Sequence, residues 1–227
     1  MSIYVLKFCA WNIHGYKSRQ IGNKLHNDHF LKTIEDQDIV CLTETHIHDE
    51  ILEHLCIPGY KRFAYKNRIK NEKSRTASGG IAIFIKENLH ELLIHINRDD
   101  EDTILVKIKK EATKGDCDIY LGATYISPTT TAAIDKLRES ASNFSSKGAV
   151  LINGDFNART GIENDTIAPD KFDIEFGIET NENNSQRNSQ DKVLNKRGEN
   201  LLDLCKSLDF QIANGRKSET HLATSHV

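Results

Sequence analysis

Residues 149–157 read AVLINGDFN, an apolar run that stops at a glycine, an aspartate and an asparagine. The apolar part predicts a buried strand over 149–155. Gly-Asp is a common turn dipeptide, so the ending has an ordinary explanation. A strand that ends by presenting Asp155 and Asn157 together also suits a polar site. Which explanation holds depends on what the other strands bring to the same edge.

Apolar runs and helical patterns alternate along the rest of the chain. Helices are predicted over 20–36, 49–55, 197–210 and around Ile134–Phe144, where apolar residues recur at three- and four-residue spacing. Such a mixture of strands and helices predicts an α/β fold, a four-layer α-β-β-α sandwich. The other strands are predicted over 3–11, 38–45, 79–86, 92–97, 103–110, 118–127 and 210–214.

Polar side chains stand where four of the predicted strands end. In sheets of this kind, sites form beyond the carboxyl ends of strands. An oxygen-rich set without a thiolate suits a hard cation such as Mg²⁺ or Mn²⁺. A carboxylate-held cation beside amide donors is what phosphate ester hydrolysis needs. The set comprises two carboxylates, two carboxamides and a phenol, from Asn12, Glu44, Tyr125, Asp155 and Asn157.

Each of these residues alone has an ordinary structural explanation. Asn12 precedes Gly15 and could shape a turn, Glu44 could be an exposed strand-end carboxylate, and Tyr125 could be a core aromatic. The functional interpretation rests on their appearance in order, each at a strand end. A zinc site is the alternative, since His46 and His48 alternate with Glu44, but third and fourth ligands of suitable type are not evident.

Composition limits the classes of function. The 227 residues carry a net charge of −3, which argues against a whole-molecule basic field for nucleic acid. Five cysteines without a Cys-x-x-Cys pair suggest neither a disulfide framework nor a zinc knuckle, and predict a reducing compartment, nuclear or cytoplasmic. The segment 1–11 is too short for a signal peptide, and no apolar run approaches a membrane span.

Six motifs follow one another in an order that resembles the endonuclease/exonuclease/phosphatase superfamily, whose fold is DNase I-like. Within it, the chain is most similar to the apurinic-endonuclease-like domain of non-LTR (LINE-type) retrotransposon polyproteins. The similarity runs from about Ile3 to Arg216. The motifs are WNIHG (11–15), LTETH (42–46), SGGIAIFIK (78–86), TYISP (124–128), NGDFNARTG (153–161) and NKRGENLLDLCKSLDFQIANGR (195–216).

The resemblance implies a role for each strand-end residue. Glu44 would bind Mg²⁺ or Mn²⁺ with Asn12 close by, and Asp155 would position or activate the attacking water. Asn157 would hold the scissile phosphate, and Tyr125 would contact the phosphate or the leaving oxygen.

DNA is the partner that the resemblance implies, with an ancestral fusion to a reverse transcriptase. The polar stretch 163–197 would lie over the DNA. Arg187 and Asn195 are then candidate phosphate contacts, although a solvated loop explains either residue alone.

The sequence also departs from the family pattern. Residues 1–216 are predicted to form an incomplete domain without its last strands, and 217–227 an aberrant tail. A strand with an aspartate and a terminal Ser-Asp-His are missing, and His14 stands where the family often has an aspartate. Three hypotheses follow: a Mg²⁺-dependent DNA endonuclease whose activity the missing motifs would impair; a phosphatase or phosphodiesterase of the same superfamily; and a non-catalytic retroelement remnant.

Overall fold

The computed structural model describes residues 5–67, 78–96, 101–113, 115–130, 132–167 and 187–216. The chain divides into two compact units, Met1–Asn157 and Ala158–Val227. The predicted tail 217–227 and most of the polar stretch 163–197 lie outside the described residues.

The first unit contains two mixed four-stranded sheets and a small two-stranded ribbon. Its described elements are β1 (Phe8–Asn12), β2 (Lys17–Ser18), β3 (Gly22–Asn23), α1 (Asp28–Ile34), β4 (Ile39–Thr43), β5 (Tyr60–Lys66), β6 (Ile81–Lys86), β7 (Leu93–Ile96), β8 (Thr103–Ile108), β9 (Ile119–Tyr125), α2 (Ala133–Ser145) and β10 (Ala149–Asp155). One sheet has the order β1-β4-β6-β5, the other β10-β9-β8-β7. In each sheet one pair is parallel, β1 with β4 and β9 with β10.

The main core lies between the two sheets. Ile39 and Cys41 of β4 belong to the same buried cluster as Ile104 and Val106 of β8. The alternate residues of β4 point the other way, into a second cluster. All five residues of β4 are buried. This is expected of a strand whose sequence is a continuous apolar run, because such a strand is covered on both faces.

A helix covers the outer face of each sheet. Phe30 and Ile34 of α1 join the second cluster beside Phe84 of β6. On the other side, α2 buries its apolar stripe, and Phe144 stacks on Tyr120 of β9 with ring centroids 4.7 Å apart. Helix, sheet, sheet and helix form the four layers predicted from the sequence, so the α/β fold class is confirmed.

The helix predicted over 20–36 is wrong in its first half. Residues Gly22–Asn23 pair in a ribbon, Lys24–His26 form a 3-10 turn, and the α-helix begins only at Asp28. Two asparagines impose these breaks, because Asn23 accepts from the amide of Leu25 and Asn27 caps α1. Over Asp49–His54 the predicted helix is a 3-10 helix. Strand β5, whose apolar residues alternate irregularly with charges, was not predicted.

The second unit is organised around α3 (Lys196–Leu208). Its apolar stripe buries Leu202, Leu204 and Cys205. The strand predicted over 210–214 is wrong, since these residues have no strand pairing in the structure. The backbone of Ile212 hydrogen-bonds with side chains instead: Asp165 accepts from the Ile212 amide, and Arg216 donates to the Ile212 carbonyl.

None of the helices in the described part of the chain is both long enough and apolar enough to cross a membrane.

Candidate active site

Four strand ends meet at one edge of the first unit. Within the parallel pairs, Asn12 is in register with Thr43, and Asp155 with Tyr125. Glu44 follows Thr43 directly. The structure therefore brings together four of the side chains predicted from the sequence, and Asn157 lies just beyond Asp155. The strands that carry Asn12 and Asp155 are the outermost ones of their sheets among the described residues.

Asn12 joins the carboxylates of the two sheets. Its Nδ2 donates to Asp155 Oδ2 at 2.7 Å, and its side chain is near enough to Glu44 to lower the pKa of that carboxyl group. Its Oδ1 accepts from the backbone amide of His14 at 3.0 Å, which fixes the orientation of the carboxamide. Two carboxylates that would repel each other are thus held side by side by one neutral donor.

Glu44 is kept in its anionic form. Its side chain is only 12% exposed. Burial raises its pKa, but hydrogen bonds with the side chains of His14, Asn12 and Tyr125 lower it, and the net pKa lies below the usual 4.5. A partly buried carboxylate that stays charged at neutral pH is a suitable cation ligand.

The geometry at the end of β10 explains why the strand ends in Gly-Asp-Phe-Asn. Gly154 has φ +129°, and a Cβ there would lie 1.9 Å from the carbonyl oxygen of Thr124. Only glycine lets β10 approach β9 so closely. Beyond it, Asp155 Oδ1 accepts from the Asn157 amide at 2.8 Å, and Asn157 Nδ2 donates to the Ile126 carbonyl at 2.9 Å. These bonds fix both side chains at the strand end.

Left-handed backbone conformations cluster at these strand ends. Five non-glycine residues in the described part have positive φ, and four of them are His14, Glu44, His46 and Asn157. Such conformations each cost on the order of 1 kcal/mol or more outside glycine, and they concentrate at functional sites. Their position here supports a site at this edge.

Lys24 is a positioning residue that sequence reasoning missed. Its Nζ donates to the carbonyl oxygens of Ile13 at 2.7 Å and His14 at 3.1 Å, which secures the loop after β1. Burial lowers the pKa of this ammonium group. Nothing in the sequence pointed to this role, because Lys24 lies inside the helix predicted over 20–36.

Arg187 and Asn195 lie in the second unit and have structural partners there. Arg187 is buried and donates to Thr160 Oγ1 and to the carbonyls of Gly161 and Glu163, at 2.8–2.9 Å. Asn195 caps α3, accepting from the Gly198 amide at 2.7 Å. These contacts explain both residues without a ligand, and their predicted phosphate contacts remain predictions.

A family model described as Endonuclease/Exonuclease/phosphatase family matches residues 9–178, more than half of the chain and all five strand-end residues. The chain belongs to this family. Members of the family are hydrolases, nucleases and phosphatases among them, and typically use divalent metal ions. No curated protein matches the sequence.

Several solved structures are similar to this chain at low sequence identity. AP endonuclease LMAP from Leishmania major is 17% identical, with a TM-score of 0.46, over 68% of this chain and 56% of that one. The human Nocturnin catalytic domain with bound sulfate is 18% identical, with a TM-score of 0.47, over 67% and 64%. An AP endonuclease from Archaeoglobus fulgidus is 16% identical, with a TM-score of 0.43, over 88% and 69%. The matches thus span less than two thirds of the first two proteins.

Proposed function

We propose that this chain is a metal-dependent DNA endonuclease domain of non-LTR retrotransposon origin, which hydrolyses one phosphodiester bond in a DNA strand. The observation that carries the proposal is the 2.7 Å hydrogen bond from Asn12 to Asp155 beside Glu44, whose pKa the side chains of His14, Asn12 and Tyr125 lower. It gathers two carboxylates, a carboxamide and a phenol at one edge of the sandwich, as expected for phosphate ester hydrolysis with a cation.

The donor set fits Mg²⁺ or Mn²⁺. Glu44 supplies an anionic oxygen, and its lowered pKa keeps that oxygen charged at neutral pH. Asn12 adds an amide oxygen nearby. Such hard oxygen ligands suit these ions. When bound, the ion would offset negative charge on the phosphate oxygens.

Asp155 is the residue proposed to orient and deprotonate water. Asn12 Nδ2 and the Asn157 amide each donate to one of its oxygens, at 2.7 and 2.8 Å, so the carboxylate cannot rotate freely. A positioned base of this kind contributes about 10²–10⁴-fold to a rate. Asn157, on the same turn, is proposed to hold the phosphate, and Tyr125 to donate to a phosphate or leaving oxygen.

The open rim of the site favours a polymeric substrate over a small phosphoester. The side chain of His14 is 77% exposed and that of His46 30% exposed, directly beside Glu44. A phosphodiester within a long chain can reach such a rim from solvent. The retrotransposon origin is supported by the sequence of 195–216, and reading the locus downstream for a reverse transcriptase tests it.

The substrate class is tested by incubating the purified chain with supercoiled plasmid and, separately, with inositol phosphates, each with Mg²⁺ or Mn²⁺. We expect conversion of supercoiled to open-circular DNA and little phosphate release. Phosphate release without nicking would replace the proposal by a small-molecule phosphatase. If the protein shows a cooperative unfolding transition but has neither activity, the chain is a non-catalytic remnant.

A further inference from the structure

Two histidine side chains approach the same oxygen of Glu44. His14 Nδ1 lies 2.5 Å from Glu44 Oε2, within hydrogen-bond distance, and His46 Nε2 lies 3.6 Å from it. A third histidine nearby, His48, pairs with Glu50 instead. Glu44, the carboxylate proposed above to bind the metal, thus has imidazole nitrogens nearby as well as side chains that carry oxygen.

The backbone holds both imidazoles in place. His14, Glu44 and His46 have φ values of 50°, 53° and 55°. The Gly15 amide donates to the Glu44 carbonyl at 2.7 Å, and the His46 amide donates to Gly79 at 2.9 Å. A Cβ on Gly15 would lie 3.0 Å from His46 Nδ1, so the glycine leaves room for that ring. The backbone that carries both imidazoles is therefore fixed at the strand ends.

An imidazole nitrogen changes which ion a site prefers. Mg²⁺ favours sites built from oxygen alone, whereas Mn²⁺, which also suits carboxylate and water ligands, accepts an imidazole nitrogen more readily than Mg²⁺ does. We propose that His14 Nδ1 and Glu44 Oε2 together bind Mn²⁺, and that His14 shifts the preference of the site away from Mg²⁺. This inference rests on the proposed function, which assigns the metal to Glu44.

The ion would take the place of the hydrogen now shared between His14 and Glu44. As it stands, the described part of the chain has no group of three His, Cys, Asp or Glu side chains arranged to hold an ion. Two protein ligands suffice for an ion that keeps several waters and is also bound by substrate phosphates, as Mg²⁺ is in phosphate-processing sites. His14 is largely exposed, so its ring can move outward by the fraction of an ångström that an ion requires.

Nitrogen coordination gives a direct spectroscopic test that does not depend on activity. The protein is loaded with Mn²⁺, and electron spin echo envelope modulation is recorded for the wild type and for His14→Asp, which replaces this imidazole with a carboxylate. We expect ¹⁴N modulation from one imidazole in the wild type and its loss in His14→Asp. The Mn²⁺-to-Mg²⁺ affinity ratio should fall about tenfold in that variant. His48→Asn is the matched control and should retain both properties.

The outcomes separate this inference from the proposed function. If Mn²⁺ binds in a Glu44-dependent manner without ¹⁴N modulation, or if the modulation persists in His14→Asp, the nitrogen-ligand inference is overturned and the metal assignment stands. If Glu44→Gln leaves Mn²⁺ binding unchanged, the metal assignment to Glu44 is wrong, and both proposals fail.

Discussion

At the residue scale, Asn12 explains how two carboxylates can stand together in this molecule. Its amide nitrogen donates to Asp155, its side chain lowers the pKa of Glu44, and its oxygen accepts from the backbone of His14. A carboxylate at this position could keep the bond from the His14 amide but could not donate. The neutral donor is therefore the feature on which the geometry of the site depends.

Replacing Asn12 with aspartate tests this dependence. The change is nearly isosteric, but it removes the donor and adds a third negative charge. We expect plasmid nicking to fall about 10²-fold or more, with a loss of stability that added metal partly restores. Plasmid nicking and urea unfolding with and without metal measure both effects. Asn27→Asp is the control, since Asn27 caps α1 through its oxygen and aspartate caps equally well. Equal activity in both variants would contradict the role of Asn12.

Glu44 should make the stability of the fold depend on pH. Its pKa in the folded chain lies below the ordinary 4.5, so its ionised form stabilises the fold at pH above that value. This contribution is lost as the pH falls through the folded pKa. We therefore expect the difference in free energy of unfolding between wild type and Glu44→Gln to be largest near neutral pH and to shrink at pH below 4.5. Urea unfolding in the presence of a chelator measures it. A difference that grows toward acid would contradict the account.

At the scale of elements, the parallel strands β9 and β10 can pair closely at the end near the site because residue 154 is a glycine. Gly154 combines a positive φ with a backbone contact that no Cβ could share. The pair brings Tyr125 and Asp155 into register. A side chain at 154 would therefore disturb the strand pairing and the site at once.

Gly154→Ala tests this contact. We expect a loss of about 2–4 kcal/mol in the free energy of unfolding, because strand separation adds to conformational strain. Gly59→Ala is the matched control: Gly59 also has positive φ, +81°, but nothing lies within 4 Å of a Cβ there. Its cost should be about 1 kcal/mol, from strain alone. Similar losses in the two variants, measured by urea unfolding, would mean that the Thr124 contact is unimportant.

The elements that were predicted correctly from the sequence are those whose residue pattern is set by burial. The apolar run of β4 follows directly from burial on both faces, and Ile104, Val106 and Ile108 of β8 face the main core as predicted. Predictions failed where single side chains redirect the backbone: Asn23 and Asn27 break the helix over 20–36, and Asp165 takes the Ile212 amide from a strand. Such long-range or capping bonds leave no periodic trace in a sequence.

The candidate site was predictable in its residues but not in its connections. Strand ends could be read from apolar runs that stop abruptly, which placed Glu44 and Asp155 at one edge. The bridging bonds of Asn12 and the clamp by Lys24 depend on distances between elements far apart in the chain. His14 was visible at a strand end, but its contact with Glu44 was not.

At the scale of the whole molecule, charge limits how the chain can bind DNA. The net charge is −3, with 30 basic and 33 acidic residues. Each phosphate neutralised by a basic residue adds about −0.9 to the slope of log affinity against log salt on duplex DNA. A near-neutral molecule without a general basic field should neutralise few phosphates.

We therefore expect a shallow salt dependence, with a slope of about −3 or less steep. Fluorescence anisotropy with a labelled duplex, over a salt series and with the Asp155→Asn variant to prevent cleavage, measures the slope. A slope steeper than about −6 would reveal an extended basic surface and would contradict local recognition.

The most direct test of the central claim is a plasmid-nicking assay that compares wild type, Asp155→Asn and Asp118→Asn in the presence of Mg²⁺ or Mn²⁺. Asp118 precedes β9 at its opposite end and pairs with Lys107, so it is a matched control outside the site. The account predicts nicking by wild type and Asp118→Asn, and a loss of about 10²-fold or more in Asp155→Asn. Nicking that persists in Asp155→Asn, or its absence from folded wild-type protein, would contradict the claim that these strand ends form a working hydrolytic site.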